Sequence, residues 1–250
     1  MLLRCPEGRG RACFFQKHPS GPVHRSLSSV RVRESNGTLE TYLTLRDRAG
    51  LVSLVQMGAL ELHVWGARAD AIDKPDRIVF DLDPDPSVRW AFVVETAHRV
   101  RGRLRSLGLS SFAKTTGGKG IHVVVPIRRG PGWEEVKTLS LGVASSLVRE
   151  EPDRLTTHLA KARRAGRIFI DTLRNRRGAT WVAPYSPRAR EGAPVSTPVA
   201  WSELTPKLDP ARFTVQTLPA RIADKDPWAG MDSTRQTVTA SMLRTLRANR

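Results

Sequence analysis

Apolar residues in this chain recur with two different periods, and the switches between them outline its elements. In residues 46–60, Ala49, Val52, Leu54, Val55 and Leu60 recur at helical spacing, and Gly58 marks the expected end. Residues 88–107 predict a long amphipathic helix ending at Gly108, and residues 133–149 predict another. Elsewhere the period shortens to two. Residues 61–65, Glu-Leu-His-Val-Trp, alternate as a strand does; 77–81, 111–114, 121–127, 167–171 and 180–183 read as further strands. Residues 111–114 and 121–127 flank a Gly-rich turn and predict a hairpin. Residues 1–40 read as basic and loop-rich, and turn residues follow 183. In the tail, 229–250, Val238, Met242, Leu243 and Leu246 stand near helical spacing, so this segment is expected to be a partner helix or disordered. Strands and helices mix without strict β-α-β alternation, which predicts an α+β fold.

Two apolar strands end in aspartate. Val79-Phe80-Asp81-Leu82-Asp83-Pro84-Asp85 carries carboxylates at alternate positions, and Phe169-Ile170-Asp171 repeats the pattern. Alternate strand residues share a face, so Asp81 and Asp83 project side by side and repel unless a cation lies between them. If the two strands are neighbours, Asp171 joins them. Hard oxygen ligands of this kind suit Mg²⁺ or Mn²⁺, and two such ions can activate a hydroxyl and stabilise a leaving pyrophosphate. Asp85 follows a proline and is expected to cap the next helix, near Ser87.

Charge and composition extend this picture. The chain has 250 residues, 40% of them hydrophobic, and its 41 Lys+Arg against 24 Asp+Glu give a net charge of +17. That excess points to a polyanionic partner, nucleic acid before an anionic membrane surface. The turn Thr116-Gly117-Gly118-Lys119-Gly120 lacks the spacing of a Walker loop and opens no helix as a Rossmann turn does, but its amides, with Thr116, Lys119 and His122, could hold a triphosphate. Arg174 lies just beyond Asp171, and Arg188 and Arg190 follow the last strand, where they could neutralise phosphates. Phe14 and Phe15 sit in a basic loop with Lys17; such a pair either stacks on single-stranded bases or places one ring in the core. His63, alone on an amphipathic strand, reads as structural on its residues. Cys5 and Cys13 make neither a disulfide framework nor a zinc site, and are expected to be reduced and structural. No apolar run approaches the about 18–20 residues that span a bilayer, and Met1-Leu2-Leu3-Arg4 opens no signal peptide. The chain is expected in the cytoplasm, on the nucleoid.

Taken in order, these motifs resemble the polymerase domain of bacterial ligase D, in the archaeo-eukaryotic primase superfamily. The resemblance runs from Leu3 to about Trp228. It rests on Cys13-Phe14-Phe15-Gln16-Lys17-His18, Val55-Gln56-Met57-Gly58, Glu61-Leu62-His63-Val64-Trp65-Gly66, Phe80-Asp81-Leu82-Asp83-Pro84-Asp85, Lys114-Thr115-Thr116-Gly117-Gly118-Lys119-Gly120-Ile121-His122, Phe169-Ile170-Asp171-Thr172-Leu173-Arg174-Asn175 and Ala183-Pro184-Tyr185-Ser186-Pro187-Arg188-Ala189-Arg190. It implies a primase-polymerase fold of central mixed or antiparallel sheets flanked by helices, with a catalytic domain over 1–228 and the tail at 229–250. The activity implied is template-dependent addition of nucleotides, NTP or dNTP, to DNA 3′ ends or gaps in non-homologous end joining.

By this resemblance Asp81, Asp83 and Asp171 bind two divalent ions, Mn²⁺ or Mg²⁺. Thr116, Lys119, His122, Arg174, Arg188 and Arg190 hold the incoming triphosphate. His63 lies near the sugar, which reverses the structural reading, and Phe14 and Phe15 stack on the template, with Lys17 beside them on the DNA. The family more often has Thr-Ser where Thr115-Thr116 stands here, which keeps a hydroxyl. Family members also carry a further segment ahead of Leu2-Leu3-Arg4-Cys5-Pro6, which recognises a 5′-phosphate. Ku and a separate DNA ligase are the partners implied. The alternative function is an impaired relative that acts as a DNA-end-binding module.

Overall fold

The computed structural model describes residues 1–21, 23–34 and 36–248. Its centre is a six-stranded sheet. The members are β6 (Arg77–Pro84), β7 (Phe112–Thr115), β8 (Ile121–Pro126), β9 (Leu155–Thr156), β10 (Ile168–Asp171) and β12 (Pro198–Val199), in the order β12-β7-β8-β6-β10-β9. All neighbours are antiparallel except β10 and β9. Helices α2 (Trp90–Ser106) and α3 (Trp133–Glu150) cover one face, where Ile78, Phe80, Leu82, Val123 and Val125 meet Val93, Ala97, Leu139 and Val143 in the main core. The intervening residues of β6 point to the other face. Val79 is buried there against Val124 and Trp181, while Asp81 and Asp83 follow toward the open end of the strand.

A second sheet of four antiparallel strands faces this side: β1 (Leu2–Arg4), β2 (Phe14–Gln16), β5 (Ala59–Val64) and β11 (Trp181–Val182), ordered β11-β5-β1-β2. Trp181 of β11 joins the two sheets through the small core it shares with Val79 and Val124. Outside it lie the hairpin β3 (Ser28–Arg33) and β4 (Leu39–Thr44) and helix α1 (Arg48–Gln56), where Leu2, Leu27 and Leu54 form a separate core. Helix α4 (Leu218–Ala223) lies further along the chain. The tail forms α5 (Ala240–Ala248), whose Leu246 packs against α3 so closely that a Cβ at Gly142 would lie 3.0 Å from the Leu246 Cβ. Residues 249–250 of the expected tail fall outside the described residues.

The expected helix over 46–60 divides. Asp47 caps α1 by accepting from the Gly50 N–H at 2.9 Å, and Gly58, at φ +75°, turns the chain into β5. A side chain there would meet the Pro6 Cα at 2.8 Å, so Gly58 is required by backbone conformation and by space. Two readings are corrected. Cys5 and Cys13 are not reduced: they form a disulfide, with Cα atoms 4.4 Å apart. The reason is the pairing of β1 with β2, which sets Arg4 opposite Phe14 and brings the next residue of each strand together. Asp85 does not cap a helix; its Oδ1 accepts from the Ser87 N–H and hydroxyl in a local turn, and α2 starts later, after Arg89.

Candidate active site

Register brings the carboxylates together. β10 pairs with β6 so that Asp171 stands directly opposite Asp81, and Asp83 lies two residues further along β6 on the same face. The arginine side chains answer this charge. Arg174 Nε donates to Asp81 Oδ2 at 3.3 Å and lies 3.4 Å from Asp171 Oδ2, and Arg164 Nη1 lies 3.7 Å from Asp83 Oδ2. The 3₁₀ turn Leu173–Asn175 places Arg174 there. It starts with the Asp171 carboxylate accepting from the Leu173 N–H at 2.7 Å.

The three carboxyls differ electrostatically. Burial tends to raise Asp81, but His122, through its charge and its hydrogen bond, and the Arg174 charge outweigh it and hold this carboxyl below the usual range. Burial and the Asp81 charge push Asp83 up. Burial also raises Asp171, against the pull of Arg174. His122, opposite Asp81 on β8, is 2% exposed and burial pushes it down to about 4. Its Nε2–H donates to Asp81 Oδ1 at 3.2 Å. Lys114 lies next to it in the sheet, fully buried, with Nζ on the Ser196 hydroxyl and the Thr115 carbonyl. Burial pushes its ammonium well below the usual lysine range.

No group of acidic, histidine or cysteine side chains closes into a coordination shell among the described residues. The donor set still fits a divalent ion. Three hard carboxylates share one face, and the Arg174 cation already stands between two of them, which marks a position that accepts positive charge.

The Gly-rich tip lies beside this cluster. Thr116 N–H and Oγ1 both donate to the Gly120 carbonyl, closing the turn. Gly117 sits at φ +68°, and a Cβ there would strike Arg188 Cγ at 2.6 Å. Arg188 Nη1 donates to the Thr116 carbonyl at 2.5 Å, and the Arg190 head rests over Gly118, where a Cβ would lie 2.5 Å from Nη1. Lys119 is exposed at the tip. The tip, Arg188 and Arg190 lie together beside β6, where a Cβ at Gly120 would meet the carbonyl of Leu82, the residue between Asp81 and Asp83, at 2.7 Å. His63 of β5 reaches this group through Glu61, which also pairs with Arg188, and its ring lies edge-on to Phe15 with the ring centres 5.9 Å apart. Phe14 and Phe15 are 47% and 61% exposed, so neither ring enters the core. Lys17 is not brought to these rings; its Nζ pairs with Glu34 at 2.9 Å and lies over Tyr42.

Three residues escaped the sequence reading as parts of a site. Glu61 is 3% exposed and binds His63, Arg188 and the Ala189 N–H. Lys114 looked like an ordinary strand residue. Asn175 is 1% exposed, and its amide accepts from the Val79 N–H and donates to the Val79 carbonyl, each at 2.7 Å, as a strand neighbour would. Glu61 and Lys114 carried one local signal, a charged residue beside apolar neighbours in a strand.

Residues 1–228 match the family model described as LigD, primase-polymerase domain. The chain is 40% identical over 98% of its length to the multifunctional non-homologous end joining protein LigD of Pseudomonas aeruginosa. It is 34% identical over 84% of its length to the protein of that name from Mycolicibacterium smegmatis. It spans only 29% and 28% of these relatives. Among solved structures it is similar to the polymerase domain from Mycobacterium tuberculosis ligase D in complex with DNA. The TM-score is 0.85 and the identity 31%, covering 93% of this chain and 83% of that one.

Proposed function

From the premise that the chain belongs to the primase-polymerase family of ligase D, we propose that it is a template-dependent nucleotidyltransferase that extends DNA 3′ ends and gaps. The observation that carries this reading is the register of Asp171 opposite Asp81, with Asp83 on the same face, beside a Gly-rich tip flanked by arginines. A relative solved with DNA supports DNA as the polymer.

In this reading Asp81, Asp83 and Asp171 would hold the divalent ions, which supply charge neutralisation at the leaving pyrophosphate and activation of the 3′-hydroxyl. The chain's own residues position and neutralise. Lys119, Arg188 and Arg190 place positive charge around the tip, and Arg174 can exchange its carboxylate partners for phosphate oxygens when cations take over that role. His122 donates to Asp81 and fixes that carboxylate's orientation. His63 and the exposed rings of Phe14 and Phe15 would lie at the sugar and the template bases. Little covalent chemistry falls to the protein; positioning and electrostatics carry the step. The setting is end joining, with Ku and a separate ligase as the partners for capture and sealing.

The test is extension of a primed template by the purified chain with Mn²⁺ and nucleotide. Templated addition is expected, lost on chelation with EDTA and restored by excess Mn²⁺. A folded sample that binds the DNA but adds nothing at saturating metal and nucleotide would instead establish the end-binding module.

A further inference from the structure

Glu61 is a buried carboxylate between His63 and Arg188 with no role in the reading above. Its Oε2 accepts from His63 Nε2–H at 2.8 Å and lies 3.0 Å from Arg188 Nε, and its Oε1 accepts from the Ala189 N–H at 2.8 Å. Burial tends to raise this carboxyl, yet the bonds from His63 and Ala189 and the Arg188 charge bring it below the usual range, so it stays ionised. Each partner leads to a different part of the site. Arg188 continues to the Thr116 carbonyl and fills the space over Gly117. His63 continues to the edge of Phe15. Glu61 is therefore the group through which the tip and the aromatic pair are held in one arrangement.

The contact also selects a tautomer. The nitrogen of a neutral imidazole that faces a carboxylate carries the proton, and the other is left as an acceptor. In the neutral ring, Nε2–H toward Glu61 leaves His63 Nδ1 as the acceptor, and Nδ1 has no protein partner among the described residues. An acceptor there suits a hydroxyl donor, such as one on a nucleotide sugar.

We propose that Glu61 is a positioning residue that fixes the His63 tautomer and the Arg188 side chain together, and so sets affinity for the incoming nucleotide without touching it. This rests on the nucleotide-addition reading, and the experiment separates the two. ¹⁵N NMR of the histidine rings in the unliganded full chain reads the tautomer whether or not the protein extends DNA. His63 should be protonated at Nε2 and bare at Nδ1; the opposite tautomer, or a ring protonated on both nitrogens, overturns the proposal.

Single-nucleotide extension then tests the consequence. Glu61→Gln should raise the nucleotide KM about tenfold, with kcat and primer affinity little changed. In a His63→Ala background the same substitution should cost clearly less, because the positioned ring is gone. A folded Glu61→Gln protein with unchanged KM, or an equal cost in both backgrounds, overturns the proposal. If Glu61→Gln does not fold, the wild-type tautomer decides. If the wild type adds no nucleotide but shows the expected tautomer, the addition reading fails and the positioning geometry stands.

Discussion

At the scale of single residues, neighbouring carboxylates have different physical tasks. Asp81 is largely enclosed, with His122 on one oxygen and Arg174 on the other. Asp83 keeps 63% of its side chain exposed and is repelled by Asp81. Asp83→Ala therefore removes a ligand without opening the fold, and relieves a like-charge contact. Exposed substitutions of this kind stay within about 0.5 kcal/mol of the parent. The expected result is loss of primer extension with an unchanged melting temperature and near-native DNA affinity. A variant that retains extension would remove Asp83 from the metal set. The aspartates were legible in the sequence because an apolar run ending in alternate acids is a local pattern. Glu61 was not. Its alternation with Leu62 is what an exposed strand face shows, and its burial comes from Arg188 and Ala189, more than a hundred positions later in the chain.

At the scale of elements, the central sheet was legible for a similar reason. β6 and β8 are apolar on both faces over Ile78–Phe80 and Val123–Val125, as strands covered on two sides must be. Residues 1–40 read as loop although they hold β1, β2, β3 and the start of β4: β1 and β2 have three residues each, and the serines and arginines of β3 break the apolar alternation. Their pairing is closed by the Cys5–Cys13 bridge and by contacts from distant segments, which no local period reports. One joint between elements is made by a single side chain. Asn175 takes the place of a strand neighbour for Val79, and so anchors the turn that carries Arg174 beside Asp81. Asn175→Ala would leave a buried N–H and a buried carbonyl unpaired, at a cost of about 2–4 kcal/mol. Urea unfolding should show that loss. Extension at a temperature where the variant is folded should also fall, because Arg174 loses its anchor. A change below about 0.5 kcal/mol would mean that other groups or water hold this turn.

At the scale of the whole molecule, the charge balance has a consequence that no single contact reveals. If every one of the 24 acidic side chains took a basic partner, 17 of the 41 Lys+Arg would remain without one. Many acids are already committed, as Glu150 and Glu151 are to Arg99 and Arg103 between α2 and α3, and Glu203 is to Arg221. Those cations that face solvent, as Lys119 does, are where a polyanion releases condensed counterions. Nucleic-acid binding should therefore weaken steeply with salt, with a slope set by the number of phosphates neutralised. Engagement of about four or more phosphates predicts at least a hundredfold loss of affinity between about 0.05 and 0.2 M salt. Fluorescence anisotropy of a labelled primer-template reads this slope directly. Binding held mainly by Phe14 and Phe15 stacking would resist salt, because base stacking releases few ions, and a loss under about fivefold would assign the affinity to those rings instead of the basic surface.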